Sequence, residues 1–245
     1  MSTLVVGASG ATGRLLVEQL LNEGEAVKAI VRSKLSLPQH LIQHSKLTIT
    51  EASLLEMTDA ELEQQIQGCH AIASCLGHNL TFKGLFGQPR RLVTDSVKRL
   101  CQAVEKTGSV LPVKFVLMNT TGNQNKRANE KITLGHRIVV SLLRYLLPPH
   151  ADNEEAAAYL QAQYGESGNC VEWAAVRPDS LTNEDTLTPY DVFPSPVRDP
   201  IFNAGKTSRI NVADFMTQLI VNHELWTKWR GQMPVIYNTN SVSNR

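Results

Sequence analysis

Three glycines spaced three apart, Gly7, Gly10 and Gly13, follow directly on the apolar run Leu4-Val5-Val6. Glycine at such a junction lets the backbone turn tightly and come close to a ligand, in space that a Cβ would fill. A helical pattern begins at Ala11, and the free N–H groups and positive end of a helix suit a bound pyrophosphate. Glycine is common in turns, so the triplet alone says little. Strand, glycine turn and helix in this order give the expectation of a dinucleotide site.

The end of the next strand says which dinucleotide. Sites for the unphosphorylated cofactor place an acidic side chain there, to accept from the ribose hydroxyls. This chain has Arg32-Ser33-Lys34 instead. Arg32 would meet a 2′-phosphate with charge-assisted bonds, and Ser33 adds a further donor. Arg14, just past the third glycine, is placed to reach the same group. A solvated charge cluster is the plainer account of these residues; the expectation is NADP rather than NAD.

Two further positions could carry chemistry. Thr120 and Asn119 close an apolar run, where a hydroxyl and an amide reach a nicotinamide or its substrate. His78 follows another such run, and its ring could donate a proton if it turns inward. Each has a plainer account: Thr120 as a strand-end hydrogen bond, His78 as an exposed loop residue. His150, after Pro148-Pro149, is a weaker candidate. His40 and His44 stand four apart with no cysteine or carboxylate joining them, which reads as a short surface helix, and no metal is expected.

The totals set the frame. At 245 residues the chain buries a large core without staples. A formal charge of +1, from 24 basic and 23 acidic residues, gives no general field for nucleic acid or anionic lipid. Cys69, Cys75, Cys101 and Cys170 are scattered and read as reduced thiols of a cytoplasmic protein. The chain enters its first strand at once, with no leader pattern, and no apolar run is long enough to span a membrane. Asn79-Leu-Thr81 and Asn119-Thr-Thr121 match the glycosylation triplet and carry no weight without a secretion signal.

Periodicity places these residues on elements. Strands are expected at 3–7, 26–31, 47–50, 70–76, 113–118 and 170–176, with a last short one at 233–237. Helices are expected at 11–22, from Thr58 (a capping box with Glu61) to 67, at 92–106, 132–147 and 152–164. Pro148-Pro149 stops the first of the last two. A further helix covers 212–222 with Asn211 as its cap. Residues 80–91 read either as a lid, with Phe82, Leu85 and Phe86 to cover a flat ring, or as an ordinary surface loop. Asn123 to Glu130 reads as polar and mobile. Residues 183–204, rich in proline, read as irregular structure forming the wall of a substrate pocket.

The segments Gly7-Ala-Ser-Gly-Ala-Thr-Gly13, Ala29-Ile-Val-Arg-Ser33, Ala71-Ile-Ala-Ser-Cys-Leu-Gly77, Phe115-Val-Leu-Met-Asn-Thr-Thr-Gly122, Val176-Arg-Pro178 and Ile210-Asn-Val-Ala-Asp214 together resemble the atypical short-chain dehydrogenase/reductase superfamily. The likeness is to its NAD(P)-binding, NmrA-like or flavin-reductase-like group. The resemblance implies an α/β Rossmann-type doubly wound parallel sheet, order 3-2-1-4-5-6-7, in a single domain over 1–245. The chain length and the proline-rich pattern add the expectation of a small substrate-side lobe from 183–204 and parts of 223–245. The resemblance matches Gly7, Gly10 and Gly13 to the phosphate loop, with Ser9, Ala11 and Thr12 around it, and Arg32 to the adenine-ribose phosphate. Leu76 and Gly77 fall beside the cofactor ribose, Thr120 near the family's active-site serine and Pro178 beside the nicotinamide.

One departure limits the chemistry. The superfamily uses a tyrosine with a lysine four residues on; here Tyr145, Tyr159 and Tyr164 are followed at that spacing by Pro149, Gln163 and Gly168. Flavin- and biliverdin-reductase-like members also lose the pair and carry Asp-His or a similar pair at the same helix start. This chain has Asp152-Asn153 there, without the histidine. A hydride can still pass to an acceptor whose own ring takes up the charge, since the protein then mainly orients it. The expected function is an NADPH-dependent oxidoreductase acting on a flat conjugated acceptor such as a flavin, quinone or related carbonyl compound. A non-catalytic NADP-binding sensor and a sugar-type epimerase are the alternatives. The partners expected are a small-molecule substrate and, at most, a second copy in a weak homodimer, with no nucleic acid or membrane.

Overall fold

The computed structural model describes residues 2–78, 87–128, 130, 148–165, 169–199 and 203–239. The first strands are β1 (Ser2–Val6), β2 (Ala26–Val31), β3 (Leu47–Glu51), β4 (Cys69–Ser74) and β5 (Val113–Met118). After them come β6 (Val171–Pro178), β7 (Ser180–Thr182), β8 (Tyr190–Phe193), β9 (Lys206–Ser208) and β10 (Val235–Asn238). Among the described residues the helices are α1 (Ala11–Asn22), α2 (Gln39–Ile42), α3 (Asp59–Ile66), α4 (Leu92–Thr107), α5 (Pro148–Gln163), α6 (Arg209–Val221) and α7 (His223–Trp229).

One sheet runs in the order β3-β2-β1-β4-β5-β6-β10-β8. Every pairing from β3 to β10 is parallel, and only β8 runs antiparallel, against β10. The central strands are continuous apolar runs because helices cover both faces of the sheet. On one face Phe115, Leu117 and Trp173 pack with Leu62 of α3, Leu100 of α4 and Leu160 of α5. On the other, Val116, Ala174 and Val176 pack with Leu16 and Leu20 of α1, Phe215 of α6 and Trp226 of α7. This doubly wound arrangement is the expected one, and it brings the C-terminal ends of β1, β2, β4, β5 and β6 to one rim.

Local signals held where they were strongest. Thr58 and Glu61 form the capping box of α3: Glu61 accepts from the Thr58 amide at 2.7 Å, and the Glu61 amide donates to the Thr58 hydroxyl at 3.3 Å. Several expectations need correction. Pro148 and Pro149 are the first residues of α5, a position where a missing N–H costs nothing. Residues 183–204 are not irregular throughout: β8 lies within them, with Pro189 and Pro194 flanking it on a sheet edge that tolerates proline outside the ladder.

Ser208, not Asn211, caps α6, and the helix begins at Arg209. Asn211 is buried; its side chain accepts from the Thr188 amide and donates to Asn238 Oδ1 at 2.8 Å. The short helix α7, capped by Asn222, has no counterpart in the periodicity reading. The expected helix over 132–147 and the residues 79–86 of the expected lid lie outside the described residues. No helix among the described residues is long and apolar enough to cross a membrane, and no group of three His, Cys, Asp or Glu side chains among them is placed to hold a metal.

Candidate functional site

The glycine turn sits where β1 ends against β4. Gly7 has φ of 75°, and a Cβ on it would lie 2.5 to 2.7 Å from the backbone of Cys75 and Leu76. A Cβ on Gly13 would lie 2.1 Å from the Gly7 carbonyl oxygen. Both glycines are therefore required by the packing of the turn itself. Gly10 differs: a Cβ there meets only the Gly7 oxygen, at 3.2 Å, and the residue is exposed. The Gly10 amide closes the turn on the Gly7 carbonyl at 3.0 Å.

The amino end of α1 has no side-chain cap and no acidic residue in its first turn. Ser9, Gly10 and Ala11 are exposed beside it, while Thr12 and Gly13 are buried. This is an open positive helix end with a bare glycine in front of it, which an anion fits.

Arg32, Ser33 and Lys34 are exposed just past β2, and Arg14 is exposed on the first turn of α1. Neither guanidinium has an ion-pair or hydrogen-bond partner among the described residues. One carboxylate does stand nearby: Glu51, at the end of β3, accepts from the Lys34 amide at 2.6 Å.

The chain leaving β4 passes the turn as Cys75, Leu76 and Gly77, then reaches His78. The His78 ring is not exposed. Its Nε2 lies 2.8 Å from Asp152 Oδ2, with the two side chains 5% and 1% exposed. The Asp152 carboxylate also accepts from the amides of Val93 and Thr94 at 2.8 and 2.9 Å, and the Thr94 hydroxyl donates to the Asp152 carbonyl. Asp152, on the first turns of α5, thus caps α4 from outside it.

At the end of β5 the side chains divide their work. Asn119 is buried: its amide donates to the Asn153 carbonyl at 2.9 Å, and its Oδ1 accepts from the Thr120 amide at 2.8 Å. It fastens β5 to α5, and so its side chain is already engaged. Thr120 is half-buried, and its Oγ1 accepts from the Gly122 amide at 3.3 Å. The His150 ring stands over Gly122, with its Cε1 3.1 Å and the Thr120 hydroxyl 3.8 Å from the point where a Gly122 Cβ would lie. Glu154 Oε1 is 3.7 Å from His150 Nε2. The structure therefore places Thr120 and His150 both at Gly122 and holds His78 against Asp152.

Pro178 ends β6, and its carbonyl accepts from the Thr121 amide at 3.1 Å. Asp179 follows it and accepts from the Gly205 amide at 2.8 Å; burial pushes its carboxyl upward. Arg177 is fully buried, with Glu130 across from it: Nη2 to Oε1 is 2.6 Å and Nη1 to Oε2 is 3.0 Å. Its Nη1 also donates to the Asn123 carbonyl, and Nε to the Met233 carbonyl. The polar stretch expected to be mobile is therefore tied down at Asn123 and Glu130. Tyr164 is no proton donor for a substrate. Its hydroxyl donates to Glu105 at 2.6 Å, and burial pushes it far above the ordinary tyrosine range.

A protein family described as NAD(P)H-binding matches residues 7–223. No curated protein matches the chain by sequence. Solved structures share its fold. The oxidoreductase ylbE of Lactococcus lactis is 21% identical with a TM-score of 0.67, over 98% of this chain and 91% of that one. A wide-type short-chain dehydrogenase/reductase of Veillonella parvula, solved in complex with NADP, is 14% identical with a TM-score of 0.66, over 98% and 95%. ChuY, an anaerobilin reductase of Escherichia coli, is 15% identical with a TM-score of 0.68, over 98% of each chain.

Proposed function

We propose, from the premise that this chain belongs to the NAD(P)H-binding family, that it is an NADPH-dependent oxidoreductase of flat conjugated acceptors. The observation that carries the dinucleotide in this reading is the bare Gly10 before an uncapped helix end, with Arg14 and Arg32, whose guanidinium groups have no partner among the described residues, at the same rim. The residues present fit a dinucleotide. Gly7, Ser9, Gly10, Ala11, Thr12 and Gly13 would hold the pyrophosphate, and Arg14, Arg32 and Ser33 the 2′-phosphate. Leu76 and Gly77 would flank the ribose, while Asn119, through its backbone, and Pro178 would lie toward the nicotinamide.

When bound, the cofactor supplies a hydride donor. The chain's own part is orientation. Thr120 offers a hydroxyl to a substrate oxygen or carboxamide, and its high pKa makes it a hydrogen-bond donor rather than an acid. With Tyr164 committed to Glu105, no tyrosine acid is provided from that position, which suits an acceptor whose ring delocalises the incoming charge. The test is NADPH oxidation with a panel of flavins and quinones.

The missing tyrosine acid also favours a second reading, an NADP-binding sensor. No turnover across the panel, together with NADPH-dependent binding to a protein partner, would move the assignment there.

A further inference from the structure

We propose that His78 and Asp152 form a positioning pair that holds the chain leaving β4 against the glycine turn, and that dinucleotide affinity depends on it. The second half of this proposal rests on the dinucleotide reading above; the first does not.

The geometry is as follows. Gly7 packs so closely on Cys75 and Leu76 that no side chain fits between them, so the wall of the turn is the backbone of these two residues. Cys75 is still anchored to the sheet, its amide donating to the Val6 carbonyl at 2.9 Å. Beyond it β4 has ended, and Leu76, Gly77 and His78 have no strand ladder to hold them. Glycine at 77 makes that stretch conformationally permissive. Past Cys75, the bond from His78 to Asp152, at 2.8 Å, anchors the chain.

Asp152 is itself immobilised. The two N–H groups at the start of a sixteen-residue helix converge on its carboxylate, and its own backbone belongs to α5. The pair thus references the wall of the turn to two helices, α4 and α5. It also joins the turn to the first turn of α5, where His150 stands over Gly122. A ring 5% exposed and directed at a carboxylate is suited to holding position rather than to touching substrate. His78 is therefore assigned as a positioning residue, not as the proton donor that its place in the sequence suggested.

The test uses the full-length protein. Amide hydrogen exchange is measured without cofactor, and NADPH affinity by calorimetry, for His78→Leu, His78→Gln and Asp152→Asn. In His78→Leu, exchange at the Cys75 amide, which bonds this end of the chain to the Val6 carbonyl, should accelerate at least ten-fold, and the Kd for NADPH should rise at least five-fold. His78→Gln keeps an N–H at the place of Nε2 and should restore both. Asp152→Asn should in addition accelerate exchange at Val93 and Thr94. Unchanged exchange at the Cys75 amide in a folded His78→Leu protein would overturn the pair. Faster exchange with unchanged NADPH affinity would overturn its role in binding. Faster exchange in a protein whose unmodified form binds no dinucleotide would leave the pair standing and sink the dinucleotide reading. If His78→Leu does not fold, His78→Asn, whose amide is too short to reach Asp152, takes its place with the same expectations.

Discussion

Gly13 lies so close behind Gly7 that a Cβ on it would stand 2.1 Å from the Gly7 carbonyl oxygen. The two glycines are thus one packing unit, while Gly10 between them faces outward. Their substitutions should separate accordingly. Gly13→Ala should lower stability by about 2 kcal/mol, the scale of overpacking a close contact. Gly10→Val should leave the melting temperature near that of the unmodified protein and abolish NADPH binding. Retained binding by folded Gly10→Val would show that the turn is not the pyrophosphate site.

Arg32 should set the cofactor preference. NADPH is expected to bind at least ten-fold more tightly than NADH, about 1.4 kcal/mol, and Arg32→Ala should remove most of that difference. Glu51 accepts from the Lys34 amide through one carboxylate oxygen, Oε2. Calorimetric titration with both cofactors measures the preference directly, and equal affinities in the unmodified protein would count against it.

Thr120→Val should lower kcat/KM with a quinone or flavin acceptor by roughly ten-fold, the scale of one neutral hydrogen bond. The Kd for NADPH should stay as it was. A parallel loss of cofactor affinity would place the hydroxyl on the dinucleotide instead.

Two ion pairs should differ sharply in their effect on stability. Glu130→Ala leaves the fully buried Arg177 charge without its carboxylate and should cost about 3 kcal/mol or more. Arg230→Ala breaks a pair with Glu172 whose arginine is half-exposed, and should cost less than about 1 kcal/mol. Urea denaturation of both variants gives the comparison.

Thiol chemistry should be slow. Burial pushes the Cys75 thiol up to about 12, and those of Cys69, Cys101 and Cys170 above their ordinary value as well. Since the thiolate is the nucleophile, the folded protein at pH 7.5 should react with a thiol reagent far more slowly than the same chain in urea. Raising the pH toward 9 should speed the unfolded chain while Cys75 in the folded one stays protected. Rapid modification of Cys75 at neutral pH would contradict its raised pKa.

Much of this protein was legible in order along the chain. The apolar runs, the glycine spacing and the Thr58–Glu61 box specify β1, α1, β2 and α3, because the interactions involved join residues within a turn or two of each other. The place of Arg32, exposed just past β2, was readable for the same reason. The order of the parallel sheet was not legible in such units: it was what the family resemblance implied, and the structure has it from β3 through β6.

The tertiary structure decided what each polar side chain is for. Asp152 and His78 are 74 residues apart, Asp152 and Val93 59, and Glu130 and Arg177 47. No periodicity links such positions, and a histidine read beside its neighbours looks like a loop residue. Their pairing arises because the rim of a parallel sheet collects chain from every crossover, and buried polar groups there must find partners across it. The same holds for β8. Its four residues among prolines form a strand only because β10 offers an open edge to pair with, and that edge exists only once the whole sheet has assembled.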